Sequence, residues 1–275
     1  MELTQEQFLA QVERHLLKAR GVDLSGYSPS FVLRAIRKRI GRSGAIDQSD
    51  YLRMLLRGEG ETNELLNALS INVTEFFRDK GAFESFSAKV IRALLQEKIS
   101  AGGGILRIWS AGCATGQETY TLAICLDQEM RKLPESRRFI ASITGTDISA
   151  AALAKAKSGV YERDELKGVP DKYLSEYFVE VPEGAQVVEE LRRRVRFSRE
   201  NLLDRPGARY YDAIVCRNVL IYFSRPTHDV VLRNLHEALR LQGYLMLGRT
   251  EALMGAVRSD FEVVDQENRI LRKKR

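Results

Sequence analysis

The spacing of the apolar residues changes partway along the chain. From Gln5 to Leu69 they recur at the three- and four-residue steps of amphipathic helices: Phe8, Val12 and Leu16, then Val32, Leu33, Ile36 and Ile40, then Tyr51, Leu52, Leu55 and Leu56, then Leu65, Leu66 and Leu69. Gly21, Pro29, Gly41, Gly44, Gly58 and Gly60 punctuate this stretch, which predicts a small all-helical domain over residues 1–70. Ser70 to Asp79 follows neither a helical nor a strand period, so residues 71–80 read as a linker. Ala82 to Lys98 is helical again and stops at Gly102-Gly103-Gly104.

Beyond the glycines, short apolar runs alternate with amphipathic stretches. Strands are expected at Leu106 to Ser110, Ile140 to Thr146, near Val195 to Phe197, at Asp212 to Cys216 and at Tyr244 to Leu247. Helices are expected at Glu118 to Met130, Ser149 to Lys157 and Thr227 to Leu241, and a closing strand pair at Phe261 to Val264 and Arg269 to Leu271. Strand–helix alternation predicts a parallel, doubly wound α/β sheet, and a second domain spanning residues 71–275. Residues 173–197 break the alternation. Tyr177 to Val181, the Pro182-Glu183-Gly184 turn, Val187-Val188 and Val195 to Phe197 read together as a small antiparallel β insertion.

Composition narrows the class. A chain of 275 residues with 44% hydrophobic and 29% charged residues can close a sizeable core. No apolar stretch approaches the ~20 residues that span a bilayer, and Met1 to Gln7 has no apolar signal core, so a cytoplasmic protein without membrane insertion is expected. Cys113, Cys125 and Cys216 are odd in number and lack ligand spacing, which predicts neither disulfides nor a metal site. His15, His228 and His236 form no ligand motif either. The formal charge is +6, and part of the excess is local. No acid occurs between Asp23 and Asp47, and Arg34, Arg37, Lys38 and Arg42 fall on the polar face of the second helix. That stripe is either a solvated face or a docking surface for an acidic partner.

Candidate chemistry lies at the strand ends. The first strand runs into Ser110-Ala-Gly112-Cys-Ala-Thr-Gly116-Gln-Glu118, a glycine turn entering a helix. In doubly wound sheets ligands sit at such ends, where small residues let them approach the backbone. The G-x-x-x-G spacing, with no G-K-[ST], disfavours dinucleotides and nucleoside triphosphates. Glu118 in the first helical turn suits a cationic ligand, or is a carboxylate placed to favour the helix dipole. Asp147 at the end of the second strand suits the hydroxyls of a ribose, or caps the next helix. Together the two motifs favour a nucleoside-bearing cofactor that needs no phosphate contacts, and S-adenosylmethionine fits best.

Longer strings then point to a family. Asn72-Val-Thr74-Glu-Phe-Phe-Arg78, Gly112 to Glu118, Thr146-Asp147-Ile, Asn201-Leu202-Leu and Cys216-Arg-Asn218-Val219-Leu-Ile-Tyr222-Phe223 closely resemble the chemotaxis receptor methyltransferases, the CheR family, in order along nearly the whole chain. The sequence departs from that pattern at Thr119, where proline is usual, and at Gly248-Arg-Thr-Glu251, where Gly-His-Ser-Glu is usual. The resemblance implies a small all-α domain followed by a Rossmann-like, S-adenosylmethionine-dependent methyltransferase domain with a small β-subdomain. It also implies an enzyme that methylates glutamate γ-carboxylates on the cytoplasmic helical bundle of chemoreceptors, leaving S-adenosylhomocysteine.

By the same resemblance, Asn72, Thr74 and Arg78 cover the cofactor from the linker, and Gly112, Glu118 and Asp147 hold it from the sheet. Asn201 with Leu202 and Asn218 with Val219 line its adenine and methionine portions. Arg78 and Tyr222 would lie beside the transferred methyl, although Tyr222 and Phe223 also read as core aromatics. Arg34, Arg37, Lys38 and Arg42 would dock the acidic methylation helices. Glutamate has an ordinary pKa near ~4.3, so its methylation requires positioning rather than a general base. A monomer without nucleic-acid partners is expected. A nucleic-acid methyltransferase on the same cofactor is disfavoured by Asn218-Val-Leu-Ile where Asn-Pro-Pro-Tyr would be usual. A non-catalytic cofactor sensor is disfavoured by the presence of Arg78 and Tyr222.

Overall fold

The computed structural model describes residues 4–20, 22–69, 74–208 and 210–274. The chain packs as two units, Met1–Ile71 with Tyr222–His228, and Asn72–Ile221 with Asp229–Arg275.

The first unit is built on α1 (Gln5–Arg20), α2 (Pro29–Ser43), α3 (Gln48–Arg57) and α4 (Glu59–Leu69). Proline opens α2 and Gly44, at φ +80°, closes it, while the Asp47 carboxylate caps α3 by accepting from the Asp50 amide at 2.7 Å. Phe8, Val12, Leu16, Val32, Ile36, Tyr51, Leu55 and Leu65 fill its core. Leu56 departs from the expected pattern and is 53% exposed, because the ~100° step past Leu55 carries it off the buried face. Segment Tyr222–His228 belongs to this unit rather than continuing the sheet domain. The Ser28 amide donates to the Tyr222 carbonyl at 2.9 Å, and the Tyr222 and Phe31 rings lie 4.9 Å apart. Phe223 is buried, with its ring 5.2 Å from that of Tyr27.

The second unit begins with α5 (Lys80–Phe86), a π-helical turn over Ser87–Ile91, and α6 (Arg92–Ser100), where the sequence predicts one unbroken helix. Ala82, Phe86, Val90 and Leu94 recur at every fourth residue, and all are buried. A strict four-residue repeat drifts ~40° per step around an α-helix, and the wider turn takes up part of that drift.

There follow β1 (Ile105–Ala111), α7 (Gln117–Arg131), β2 (Ile140–Asp147), α8 (Ala150–Ser158), β3 (Val160–Tyr161), α9 (Asp171–Tyr177), β4 (Phe178–Val181), β5 (Gly184–Val187), α10 (Glu189–Arg194) and β6 (Val195–Arg199). The chain closes with β7 (Tyr211–Cys216), α11 (Arg225–Ala238), β8 (Leu239–Leu247), β9 (Phe261–Asp265) and β10 (Ile270–Lys273).

The main sheet has the order β6-β2-β1-β7-β8-β10-β9. Its first five strands are parallel, and β10 and β9 add an antiparallel edge. Every residue of β7 is buried, as befits a central parallel strand covered on both faces. Val195 to Phe197 is corrected by this topology: it pairs in parallel with β2, Val195 opposite Ile143, and forms the edge of the main sheet. The insertion is instead a sheet of order β3-β5-β4, with Val160–Tyr161 supplying the third strand. A two-residue strand carries too little periodicity to be read from sequence. Buried Asp127 on α7 anchors this region by accepting from the Tyr177 hydroxyl at 2.8 Å and pairing with Arg131 and Arg194.

Candidate cofactor-binding site

The strand order reverses between β1 and β7, and at such a reversal the carboxyl ends of parallel strands open a crevice. Two strand-end loops meet there. The Gly112 and Cys113 amides both donate to the Thr146 carbonyl, at 2.8 and 2.9 Å, which ties the loop after β1 to the end of β2. Gly112 has φ +77°, and a Cβ on it would stand 2.5 Å from Val219 Cγ2 on the loop after β7. Only glycine satisfies both the backbone conformation and that approach.

Asp147 closes β2. Its Oδ2 accepts from the Ala114 amide at 2.8 Å and its Oδ1 from the Ser149 amide at 2.9 Å, while burial raises its pKa above the usual carboxylate value. The cap of α8 is Ser149, whose hydroxyl accepts from the Ala152 amide at 3.2 Å. That leaves Asp147 linking the loop after β1 to β2, with further lone pairs for a ligand's hydroxyls. Asn201 lies beyond β6, its side-chain oxygen accepting from the Leu203 amide at 3.1 Å. Leu202 is buried, and its carbonyl accepts from Asn234 of α11 at 2.9 Å.

Glu118 stands in the first turn of α7 with its side chain 12% exposed. The Ser110 hydroxyl donates to it at 2.9 Å, and Arg217 Nη1 is 3.9 Å from its other oxygen. Desolvation pushes its pKa up to about 7, opposed by the charge of Arg217, the Ser110 hydrogen bond and Arg78, and assisted by Glu251. A carboxylate so buried and so thinly paired favours a cation against it, and at a helix N-terminus it repels phosphate.

Arg217 binds this site together, although the sequence reading did not select it. Its side chain is 1% exposed. Nη1 donates to the Arg78 carbonyl at 3.1 Å, Nη2 pairs with Asp79, and the guanidinium lies 5.2 Å from the centre of the Phe83 ring. Asp79, at φ +58°, and Phe77, at φ +54°, hold the Arg78 turn in left-handed backbone. The signal for Arg217 was present: an arginine directly after a strand with no solvent-facing position needs a buried partner.

Glu251 was missed as a site residue as well. Its Oε2 accepts from the Asn218 and Gly248 amides at 2.9 and 2.7 Å, and its Oε1 from the Val219 and Leu220 amides at 2.9 and 2.8 Å. Asn218 sits within this turn at φ +59°, with its side chain half-buried. Glu251 lies far from Asn218 in sequence, and only the fold brings them together.

Thr74 is half-buried at the start of the turn that leads to Arg78, and Asn72 lies outside the described residues. Tyr222 packs in the helical unit. Arg34, Arg37, Lys38 and Arg42 are exposed on α2 and make no ion pair with a described residue, whereas their neighbour Arg39 pairs with Glu61 and Glu64. No helix of the described residues is long and apolar enough to cross a membrane.

Comparison with known proteins gives the family. Residues 72–270 match the CheR methyltransferase, SAM binding domain, and residues 7–70 the CheR methyltransferase, all-alpha domain. The chain is 31% identical to a chemotaxis protein methyltransferase of Borreliella burgdorferi over 86% of this chain and 84% of that one. It is 35% identical to the probable biofilm formation methyltransferase WspC of Pseudomonas aeruginosa over 86% of this chain, spanning 55% of that relative. It is 34% identical to an uncharacterized 104.1 kDa protein of Rhodobacter capsulatus over 90% of this chain, spanning only 26% of that protein's length. The two matches, the all-alpha domain followed by the SAM binding domain, place this chain in the CheR methyltransferase family.

Proposed function

We propose that this protein transfers a methyl group from S-adenosylmethionine to glutamate side chains of an acidic helical partner, the cytoplasmic bundle of a chemoreceptor. The observation that carries the reading is Glu118, a buried carboxylate short of donors at the topological switch point, which fits the ammonium group at the amino acid end of that cofactor. Asp147 would hold the ribose hydroxyls, Asn201 and Leu202 the adenine side, and Asn218 and Val219 the wall opposite Gly112. When bound, the cofactor supplies an electrophilic methyl on a sulfonium.

The protein's task is then positional. A glutamate nucleophile is ionised at neutral pH, so no residue need remove a proton. Arg78, its backbone fixed by Arg217, would orient the incoming carboxylate by charge-assisted hydrogen bonds. Attack consumes both the carboxylate and the sulfonium charge, so an arginine that bound the carboxylate too tightly would favour the ground state over the transition state. For the Tyr222 hydroxyl as a second orienting group, the reading rests on the family resemblance. The basic stripe of α2 would meet the partner's acidic face, with pairing to Glu61 and Glu64 keeping Arg39 out of that role. The test is to incubate the protein with methyl-labelled cofactor and host membranes, then locate the label. Label on receptor glutamates supports the reading, and label on nucleic acid, or none transferred, overturns it.

A further inference from the structure

The loop after β7 poses a question of stability that its own residues do not answer. Asn218 adopts φ +59°, left-handed backbone that asparagine tolerates better than most non-glycine residues, and the three successive amides Asn218, Val219 and Leu220 lie beyond the end of β7. All three end on a single carboxylate, Glu251, which also takes the Gly248 amide and is itself 3% exposed. Gly248 is the other half of the device. A Cβ there would stand 2.6 Å from Glu251 Oε2 and 2.9 Å from the Asn218 amide nitrogen, so the strand end must be bare for the carboxylate to reach the turn.

We infer that Glu251 is a positioning residue of the cofactor site: by gathering the amides of the Asn218 turn, it sets the Asn218 side chain and seats Val219 against Gly112. The inference rests on the proposed cofactor reading and extends it to a residue with no ligand contact of its own. The geometry distinguishes this role from ordinary core packing. A packing residue would be replaceable by an apolar one of similar volume, whereas here four N–H donors would lose their acceptor in the interior. Glu251 also acts at a distance. Its charge opposes ionisation of Glu118, on which Arg217 and Arg78 act in the opposite sense and Ser110 donates a hydrogen bond. Removing the Glu251 charge therefore eases ionisation of Glu118, whereas crowding the carboxylate with its charge kept leaves that titration in place.

The experiment measures S-adenosylhomocysteine binding by calorimetry from pH 6 to 9 for the wild type, Glu251→Gln and Gly248→Ala. Glu251→Gln retains shape but presents an amide to donors, and should weaken binding at least tenfold at pH 8.5. The pH midpoint of the residual binding should move to lower pH. Gly248→Ala crowds the same carboxylate without removing its charge, and should weaken binding with the midpoint unchanged. Wild-type affinity and midpoint in Glu251→Gln would overturn the inference. If that variant lacks a cooperative melt, Gly248→Ala decides alone, and wild-type affinity there would overturn it equally. Failure of the wild type itself to bind would strike the cofactor reading rather than the role of Glu251.

Discussion

Glu118 is the residue whose protonation the site must manage. Its pKa of about 7 lies above the ordinary glutamate value because burial outweighs the help of Arg217 and Ser110. A raised carboxylate pKa favours the ligand-free folded state at low pH, and this contribution fades as pH rises through about 7. Binding of an ammonium group has the opposite sign, since it needs the ionised form. Affinity for S-adenosylhomocysteine should therefore climb about tenfold from pH 6 to pH 8 and then level off, as a single proton requires. Calorimetry in buffers of different ionisation enthalpy should show proton release near neutrality. Asp147→Ala provides the contrast: it should weaken binding across the range by removing the proposed ribose acceptor, leaving the midpoint in place. A pH-independent affinity would remove Glu118 from contact with the ligand's ammonium group. At this scale the sequence was informative where a polar residue followed an apolar strand within a few positions, as for Glu118, Asp147 and Asn218. It marked Glu251 only as the end of a family-like string and gave it no role, because no local pattern reports that a carboxylate will be carried back to a turn more than thirty residues earlier.

Among the elements, α2 separates two kinds of basic residue that look alike in sequence. Arg39 is used internally in a two-toothed pair with Glu61, and Arg34, Arg37, Lys38 and Arg42 face outward. Exposed charges of one sign act mainly on association, over a Debye length of ~8 Å at physiological salt. Changing Arg34, Arg37 and Lys38 together to alanine should leave S-adenosylhomocysteine affinity intact and slow receptor methylation, most strongly at low salt. The variant should also lose much of the wild type's salt dependence, and wild-type rates across a salt series would mark the stripe as merely solvated. Long periodic elements were the most legible, from α1 to α4 and the β1-α7-β2-α8 run. Legibility failed where the deciding contact was distant. Val195 to Phe197 has β-forming residues in either sheet, and only its register against Ile143 to Gly145 decides which one it joins. The π-helical turn at Ser87–Ile91 follows from a four-residue repeat that a helical reading tolerates without marking.

For the molecule as a whole, the two units have separate cores, and the cofactor contacts proposed within the described residues fall in the second unit. A ligand that binds only the folded state stabilises it by mass action, ~2.7 kcal/mol at a hundredfold excess over Kd. S-adenosylhomocysteine at that excess should raise the melting temperature by on the order of 5 °C, and Asp147→Ala should need more ligand for the same shift. An unmoved melt under saturating ligand would contradict the site. The central claim, methylation of a carboxylate, has a more direct test in the chemistry of its product. A glutamate methyl ester is cleaved by alkali to release methanol, whereas methyl groups on nitrogen remain. A purified chemoreceptor cytoplasmic fragment, incubated with this protein and methyl-labelled cofactor and then brought to high pH, should release its label as volatile methanol. Label that stays on the fragment through alkali, or a fragment that never acquires any, would contradict the account.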